Sequence, residues 1–306
     1  MLERPRLRRV KPPQECVRRS LDDLHLVLER PHLDELVTHQ GVLYMYMKTQ
    51  YNIGGIKYNH SFIDRNGAYH ESGYKPEDKK SLERLLRSLI EERGENGDFN
   101  DIDVSRITDM SYLFGRGDKE FNGDITGWDT SNVENMRYMF YGARSFNQPI
   151  GRWDTSRVKD MNSMFSKATS FNQPIGYWDT SEVIDMSYMF ETATSFNQPI
   201  GNWDTNEVWD MNGMFSHATS FNQPIGNWDT GRVEIMNGMF YKATSFNQPL
   251  GKWDTSKVWN MGRMFNGARS FDQDLSGWDV LRLRETACMF NNCPIRDDYK
   301  PIRYIE

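Results

Sequence analysis

Tryptophan recurs along this chain at a fixed spacing, and that spacing constrains the fold more than any other feature. The repeated residues are Trp128, Trp153, Trp178, Trp203, Trp228, Trp253 and Trp278, each 25 residues after the one before. Each is followed by Asp, and six of the seven continue into Thr. A fixed period of this length predicts a repeat solenoid, in which each coil buries its apolar face against its neighbours.

Two local patterns alternate within each period, as residues 146–170 illustrate. The residues of this period with the spacing of one helical face are Val158, Met161, Met164 and Phe165. This spacing predicts a short helical segment in each coil, whereas the stretch from Phe171 to Trp178 alternates more like an extended segment. A thin solenoid of such coils needs only a narrow core of large side chains, which fits the 17 Met of this chain.

The repeated aromatic residues are predicted to lie inside the solenoid as continuous stacks. Besides the tryptophans, a phenylalanine column consists of Phe146, Phe171, Phe196, Phe221, Phe246 and Phe271. Each ring buries a large area, and stacked aromatic pairs add about 0.5–1.5 kcal/mol beyond that burial. A row of tryptophans that binds sugar rings is the alternative interpretation.

Polar residues also recur at fixed positions of the period. The amide columns are Asn147, Asn172, Asn197, Asn222 and Asn247, and Gln148, Gln173, Gln198, Gln223 and Gln248. Stacked amides are predicted to form a ladder that satisfies the backbone of a turn. The Asp column from Asp129 to Asp279 lies just before the helix-like segment, so we predict that it caps that segment. A ladder of calcium ions between adjacent carboxylates is the alternative.

Function is expected where the coils differ from one another. On a helical wheel, positions 134, 138 and 141 point away from the apolar face, and their residue types vary between coils. The candidate protein-binding ridge at these positions consists of Tyr138, Tyr141, Tyr188, Trp209, Tyr241, Trp259 and Arg263. Large aromatic residues facing water, together with Arg, are typical of protein interfaces. The alternative is that these rings pack onto neighbouring coils.

The rest of the chain is divided by composition and pattern into further segments. Residues 1–20 carry seven Arg or Lys against two Glu, a net charge of +5, and are predicted to be a flexible arm. The basic residues proposed for contact with an acidic partner are Arg4, Arg6, Arg8, Arg9 and Lys11. Residues 21–95 are predicted to be a small α+β domain that also caps the solenoid, residues 96–290 the solenoid, and residues 291–306 a C-terminal cap.

Two elements inside the small domain have specific signals. Asn66-Gly67 predicts a hairpin turn. The apolar residues Leu82, Leu85, Leu86, Leu89 and Ile90 predict an amphipathic helix over residues 79–93, which Gly94 ends.

Catalytic and metal-binding chemistry has little support in the sequence. The chain contains no G-x-S-x-G, phosphate-binding Gly loop or H-E-x-x-H motif. His25, His32 and His39 are too far apart on a helix to share one ion. We therefore predict a protein that is not an enzyme, with no catalytic or metal-binding residues and no cofactor. The three cysteines fit a reducing compartment rather than a disulfide framework.

The complete coil motif carries a resemblance. The unit V-x-x-M-x-x-M-F-x-x-A-x-S-F-N-Q-x-I-x-x-W-D-T-S, repeated over residues 103–290, resembles the BspA-like leucine-rich repeat of bacterial surface proteins, in the Trp-Asp-Thr-Ser variety of mycoplasma lipoproteins. Similar repeats occur in large DNA viruses. The resemblance implies an α/β solenoid of right-handed, leucine-rich-repeat-like coils with one short parallel strand each, used for adhesion and protein contacts. The sequence departs from the bacterial members because it shows no signal peptide and no lipid-anchor cysteine.

These observations predict a structural scaffold that mediates protein–protein contacts. No run approaches the roughly 18 apolar residues of a membrane span, so no membrane insertion is expected. The remainder of the chain has a net charge of −6 − 5 = −11, which argues against nucleic acid along the solenoid. We expect an intracellular protein or a minor structural component of a large DNA virus. The alternative is a cell-surface adhesin that binds a host protein or carbohydrate.

Overall fold

The computed structural model of this chain describes residues 73–115 and 120–302, together with the backbone of six short strands between residues 36 and 70. The predicted basic arm, residues 1–20, lies outside the described residues. So do residues 303–306 of the predicted C-terminal cap.

The chain divides into two compact units. One comprises residues 1–50 and 59–70, and the other comprises residues 51–58 and 71–306. All of the coils belong to the second unit.

Three antiparallel hairpins form before the coils. Their strands are β1 (Leu36–His39), β2 (Val42–Met45), β3 (Tyr51–Ile53), β4 (Ile56–Tyr58), β5 (Phe62–Ile63) and β6 (Tyr69–His70), paired in that order. In the third hairpin Phe62 lies opposite His70 and Ile63 opposite Tyr69. The predicted hairpin around Asn66-Gly67 is therefore confirmed.

Helix α1 spans Lys79–Arg93, as the apolar spacing predicted. Asp78 caps its N-terminus by accepting a hydrogen bond from the backbone N–H of Ser81, whose hydroxyl bonds back to complete a capping box. Gly94 ends the helix with a φ of 79°, in the left-handed region that favours glycine. The buried face of the helix, Leu82, Leu85, Leu86 and Leu89, belongs to the same hydrophobic core as the coils.

From residue 73 to residue 302, the described part of the chain contains no β-strand. Neighbouring coils meet instead at isolated parallel bridges of one residue pair, such as Asp160 with Asp185 and Asp185 with Asp210. The predicted α/β solenoid with one strand in each coil is therefore wrong. A bridge of one residue per coil is too short for a strand, because the backbone turns sharply on both sides of it.

The helical segment predicted for each coil is also absent from the described coils. From Tyr138 onward, each described coil places two residues in the left-handed region, for example Ser163 with a φ of 55° and Lys167 with a φ of 62°. An α-helix excludes such residues, so consecutive turns closed by i to i−3 hydrogen bonds replace it, as from the N–H of Met164 to the carbonyl of Met161. The apolar spacing that resembles a helix arises from these turns.

Backbone hydrogen bonds between coils replace the missing helical and strand ladders. Every second N–H after the bridge points to the next coil, as from Met136 to the carbonyl of Asp160 and from Tyr138 to that of Asn162, both at 2.9 Å. The same pattern repeats from coil to coil. These bonds hold equivalent residues in columns along the stack, so each position of the period forms one line on the surface or in the core.

Candidate interaction surface

The tryptophan column lies in the core. The seven indoles are 3 to 4% exposed, and five neighbouring pairs have ring centroids between 6.3 and 6.5 Å apart. Each Nε1–H donates to a backbone carbonyl of the preceding coil, as Trp203 does to Ile175 at 3.1 Å. Because both faces of these rings are covered, the column offers no exposed surface for a sugar ring.

Two phenylalanine columns pack beside the tryptophans. The column of Phe146 and Phe171 has neighbouring centroids 5.9 to 6.1 Å apart, and the column of Phe140 and Phe165 has them 5.4 to 5.8 Å apart. Within one coil the two columns touch, with the rings of Phe140 and Phe146 3.9 Å apart. All of these rings stack nearly parallel, so the core is continuous from coil to coil.

The amide columns bind the backbone of the neighbouring coil. Asn172 Oδ1 accepts the N–H of Asn197 at 2.9 Å, and Gln198 Nε2 donates to the carbonyl of Asn172 at 3.0 Å. The same pair of bonds repeats along the column. These side chains are therefore already engaged in hydrogen bonds between neighbouring coils.

The Asp column after the tryptophans has a different role from the predicted helix cap. Each carboxylate accepts the backbone N–H two residues ahead at 2.9 to 3.1 Å, closing a turn where no helix follows. In several coils it also accepts a serine hydroxyl, and the Ser156 hydroxyl and N–H lower the pKa of Asp154. Within the residues that the structure describes, no three His, Cys, Asp or Glu side chains are arranged to hold a metal ion.

The seven residues of the candidate ridge lie in three separate columns of the surface. Tyr138, Tyr188 and Arg263 occupy a left-handed position, with φ values of 56°, 56° and 57°. The Tyr188 ring covers Gly213 of the next coil, where an added Cβ would lie 2.5 Å from it. Its hydroxyl accepts a hydrogen bond from Asn212 Nδ2 at 2.7 Å. This tyrosine packs onto its neighbouring coil.

The remaining tyrosines of the ridge have partners as well. Tyr138 stacks on Tyr112 with centroids 4.6 Å apart, beneath the guanidinium of Arg137. The ammonium of Lys167 lies 4.6 Å from the ring centroid of Tyr141. In a later coil, Tyr241 has Lys242 over its ring 5.0 Å from the centroid, and the edge of His217 against it.

The third column, here called the outer column, is the one with exposed apolar side chains. Its members, from coil to coil, are Glu134, Lys159, Ile184, Trp209, Glu234, Trp259 and Arg284, joined by N–H to carbonyl bonds of 2.8 to 3.1 Å. Ile184 is 44% exposed, Trp209 43% and Trp259 38%. Ile184 and Trp209 are neighbours in the column, and Trp259 lies two coils beyond Trp209.

A row of carboxylates, here called the acidic row, runs directly beside the outer column. It consists of Asp160, Asp185 and Asp210 at the bridge positions of three successive coils. Each accepts the N–H two residues ahead at 2.8 Å. Sequence reasoning missed this row, although its signal is present: Asp or Asn precedes the buried Met in most coils.

Burial raises the pKa of two members of this row, Asp160 and Asp210. It raises the pKa of Asp210 to about 6, against the opposing effect of the Asn212 N–H and with a further rise from the charge of Asp185. Burial also raises the pKa of Asp160, with a smaller rise from Asp185. Arg137 Nη1 lies 3.7 Å from Asp160 Oδ2 and opposes that rise.

The stacked coils and their repeated columns define this chain as a repeat protein. Residues 83–202 and 189–299 match the protein family described as "Mycoplasma protein of unknown function, DUF285". The matches span more than half of the chain, which therefore belongs to that family. Searches of curated proteins and of solved structures found no match. No helix in the described ranges is long and apolar enough to cross a membrane.

Proposed function

We propose that this protein is a non-enzymatic scaffold that binds a protein partner through the outer column. The observation that carries the proposal is the exposure of Trp209 and Trp259 beside a core in which the repeated indoles are sealed. Exposed tryptophans at regular separation are the residues most often found to dominate protein interfaces. The resemblance of the coil motif to BspA-like surface repeats, which serve protein contacts, supports the same function.

The rigidity of the stack favours this use of the column. A backbone hydrogen bond to each neighbouring coil fixes the position of every member of the outer column, including Trp209 and Trp259. A partner would therefore meet side chains carried on a backbone that is already fixed, so binding would order little of this chain's backbone. By contrast, the ridge tyrosines are half-buried and already engaged with neighbouring side chains.

The proposal is tested with the full chain as bait for proteins that bind it. We expect the double variant Trp209→Ala and Trp259→Ala to lose its partner, with at least about a tenfold loss of affinity, because truncating a central aromatic anchor removes most of its contact energy. Quantitative mass spectrometry of the captured proteins, followed by titration of the partner found, gives the measurement.

Tyr177→Ala is the matched control, because Tyr177 is an aromatic residue 92% exposed outside the outer column. It is expected to capture the same proteins as the unaltered chain. Equal capture by the double variant, at an unchanged melting temperature, would refute the proposed function.

A further inference from the structure

The carboxylates of the acidic row belong to directly paired residues of neighbouring coils. The row repeats at the spacing of the parallel bridges, about 4.8 Å, well within the roughly 8 Å Debye length of physiological salt. Among the described residues, the ion pairs formed by this row are limited to that of Asp160 with Arg137. Asp185 and Asp210 therefore present negative charge that no cationic side chain among the described residues pairs with.

Further carboxylates surround the apolar part of the outer column. Glu182, Glu207 and Glu234 lie beside or within it, and Arg232 pairs with Glu207. The Lys159 ammonium is already 3.1 Å from the Glu134 carboxylate. The surface around Ile184 and Trp209 consequently combines exposed apolar area with an excess of negative charge.

Two buried amide oxygens near the row in sequence have no hydrogen-bond donor among the described residues. Asn162 Oδ1 and Asn212 Oδ1 accept no hydrogen bond within the described part of the chain. Asn162 Nδ2 donates a hydrogen bond to the Ser187 hydroxyl, and Asn212 Nδ2 donates one to the Tyr188 hydroxyl. The Oδ1 atoms of both residues remain as acceptors without a donor in this part of the chain. They belong to residues that follow Asp160 and Asp210 by two positions.

An exposed indole next to carboxylates fits a cationic side chain. Ile184 directly precedes Asp185, and Trp209 directly precedes Asp210, so each of these two coils places an exposed apolar residue next to an acidic one in sequence. Arg and Lys have apolar stems that cover such surface and cationic heads that reach the charges beside it. The face of a tryptophan also attracts a guanidinium.

Building on the proposed function, we infer that the partner presents a basic segment, with arginine or lysine side chains that pair with Asp160, Asp185 and Asp210 while their stems and adjacent apolar residues cover Ile184 and Trp209. The charge of the surface selects this occupant. An acidic or neutral segment would leave the row unpaired, and a basic segment neutralises it.

The inference is tested by fluorescence anisotropy of the full chain with a short labelled peptide that alternates arginine and leucine. A second peptide has citrulline in place of arginine, which keeps the shape and removes the charge, and a third has glutamate. We expect binding of the arginine peptide that weakens with salt, and at least about tenfold weaker binding of the other two. Equal binding of the citrulline peptide would overturn the inference without any change to the protein.

The triple variant Asp160→Asn, Asp185→Asn and Asp210→Asn is expected to bind the arginine peptide about tenfold more weakly. It should fold, because Asn135 and Asn260 occupy the same bridge position and make the same turn. The control triple variant Asp129→Asn, Asp254→Asn and Asp279→Asn removes as many charges from the other Asp column. Equal weakening in both triple variants would show general attraction to charge and overturn the inference.

These outcomes separate the inference from the proposed function. If the arginine peptide binds no more tightly than the citrulline peptide, but the Trp209 and Trp259 double variant still loses its partner, the inference fails and the proposed function stands. If the double variant retains its partner, the proposed function itself fails.

Discussion

At the scale of single residues, two aspartate columns show how burial decides the state of a carboxylate. Asp154 and Asp210 make the same hydrogen bond, accepting the N–H two residues ahead. The hydroxyl and N–H of Ser156 lower the pKa of Asp154, which is exposed. Burial raises the pKa of Asp210 to about 6 and outweighs its turn hydrogen bond. The same backbone hydrogen bond is therefore found with opposite pKa shifts, because Asp154 is exposed and accepts a hydroxyl whereas Asp210 is more buried.

The raised pKa of Asp210 predicts a stability that depends on pH. Because the folded-state pKa of this acid lies above its usual value of 3.8, ionisation destabilises the fold as the pH rises from about 4 through about 6. Asp210→Asn should therefore stabilise the protein at pH 8 by roughly 0.5–1 kcal/mol, allowing for the screening of a half-exposed group. The gain should shrink toward pH 4 and vanish below about pH 3, where the carboxyl is mostly protonated in both the folded and the unfolded protein. Thermal melting across this range measures it.

Asp229→Asn serves as the control for that prediction. Asp229 accepts the N–H of Gly231 in the same kind of turn, on the exposed column. Its substitution should give no comparable gain at pH 8, because the Asp229 side chain is exposed to solvent. If Asp210→Asn melts at a lower temperature than the unaltered protein at pH 8, burial and the neighbouring charge of Asp185 do not destabilise the ionised Asp210 in the fold.

At the scale of the coil, glycine marks the closest approach between neighbours. An added Cβ at Gly151, Gly176, Gly201 or Gly226 would lie 2.2 to 2.5 Å from a proline carbonyl oxygen of the next coil. The first and last coils carry Thr126 and Ser276 at this position, so the requirement applies to the coils between them. The backbone of the next coil cannot move aside there without disturbing the columns.

Gly201→Ala should therefore destabilise the protein by roughly 1–3 kcal/mol, because overpacking against a backbone carbonyl forces the coils apart. The matched control is Gly277→Ala, since an added Cβ at Gly277 meets nothing within 4 Å. Urea unfolding of both variants gives the comparison. Equal stability of the two would mean that the coil spacing adapts easily.

The period and the buried columns could be predicted from the sequence, whereas the path of the backbone within a coil could not. A stacking solenoid forces identical residues into columns, so repetition alone indicates position. The left-handed columns carry only a partial signal. Tyr138, Ser163 and Lys167 are not types that favour a positive φ, although other coils place Gly142, Gly213, Gly238 and Gly267 at the same positions. Consecutive turns and a helix also give similar apolar spacing, which explains the mistaken helix and strand.

Part of the candidate site could also be predicted, because residues at one position of the period can be compared from coil to coil. Variation between coils pointed to Trp209 and Trp259, which the structure places on the exposed outer column. The helical wheel grouped them with Tyr138 and Tyr188, which belong to another column and pack on neighbouring coils. Only the true backbone path distinguishes the two sets.

At the scale of the whole molecule, each coil contacts little beyond its two neighbours. Thr255 Oγ1, for example, donates to the carbonyl of Asp279 at 2.8 Å in the next coil, and the last coil has Val280 at the equivalent position. The repeated hydroxyl is thus absent from the last of the described coils. Stability should accordingly depend on the number of interfaces rather than on a single central core.

Removal of one complete period tests this view of the molecule. Deletion of residues 222–246 joins Phe221 to Asn247, which restores the same Phe-Asn-Gln-Pro motif and keeps every column in register. We expect a cooperative fold with a lower melting temperature, because one interface between coils is lost. Deletion of residues 222–233 shifts the following Trp and Phe positions out of their columns, so it should abolish cooperative melting, as followed by near-UV circular dichroism. Similar melting of the two deletions would contradict a stack whose stability depends on register.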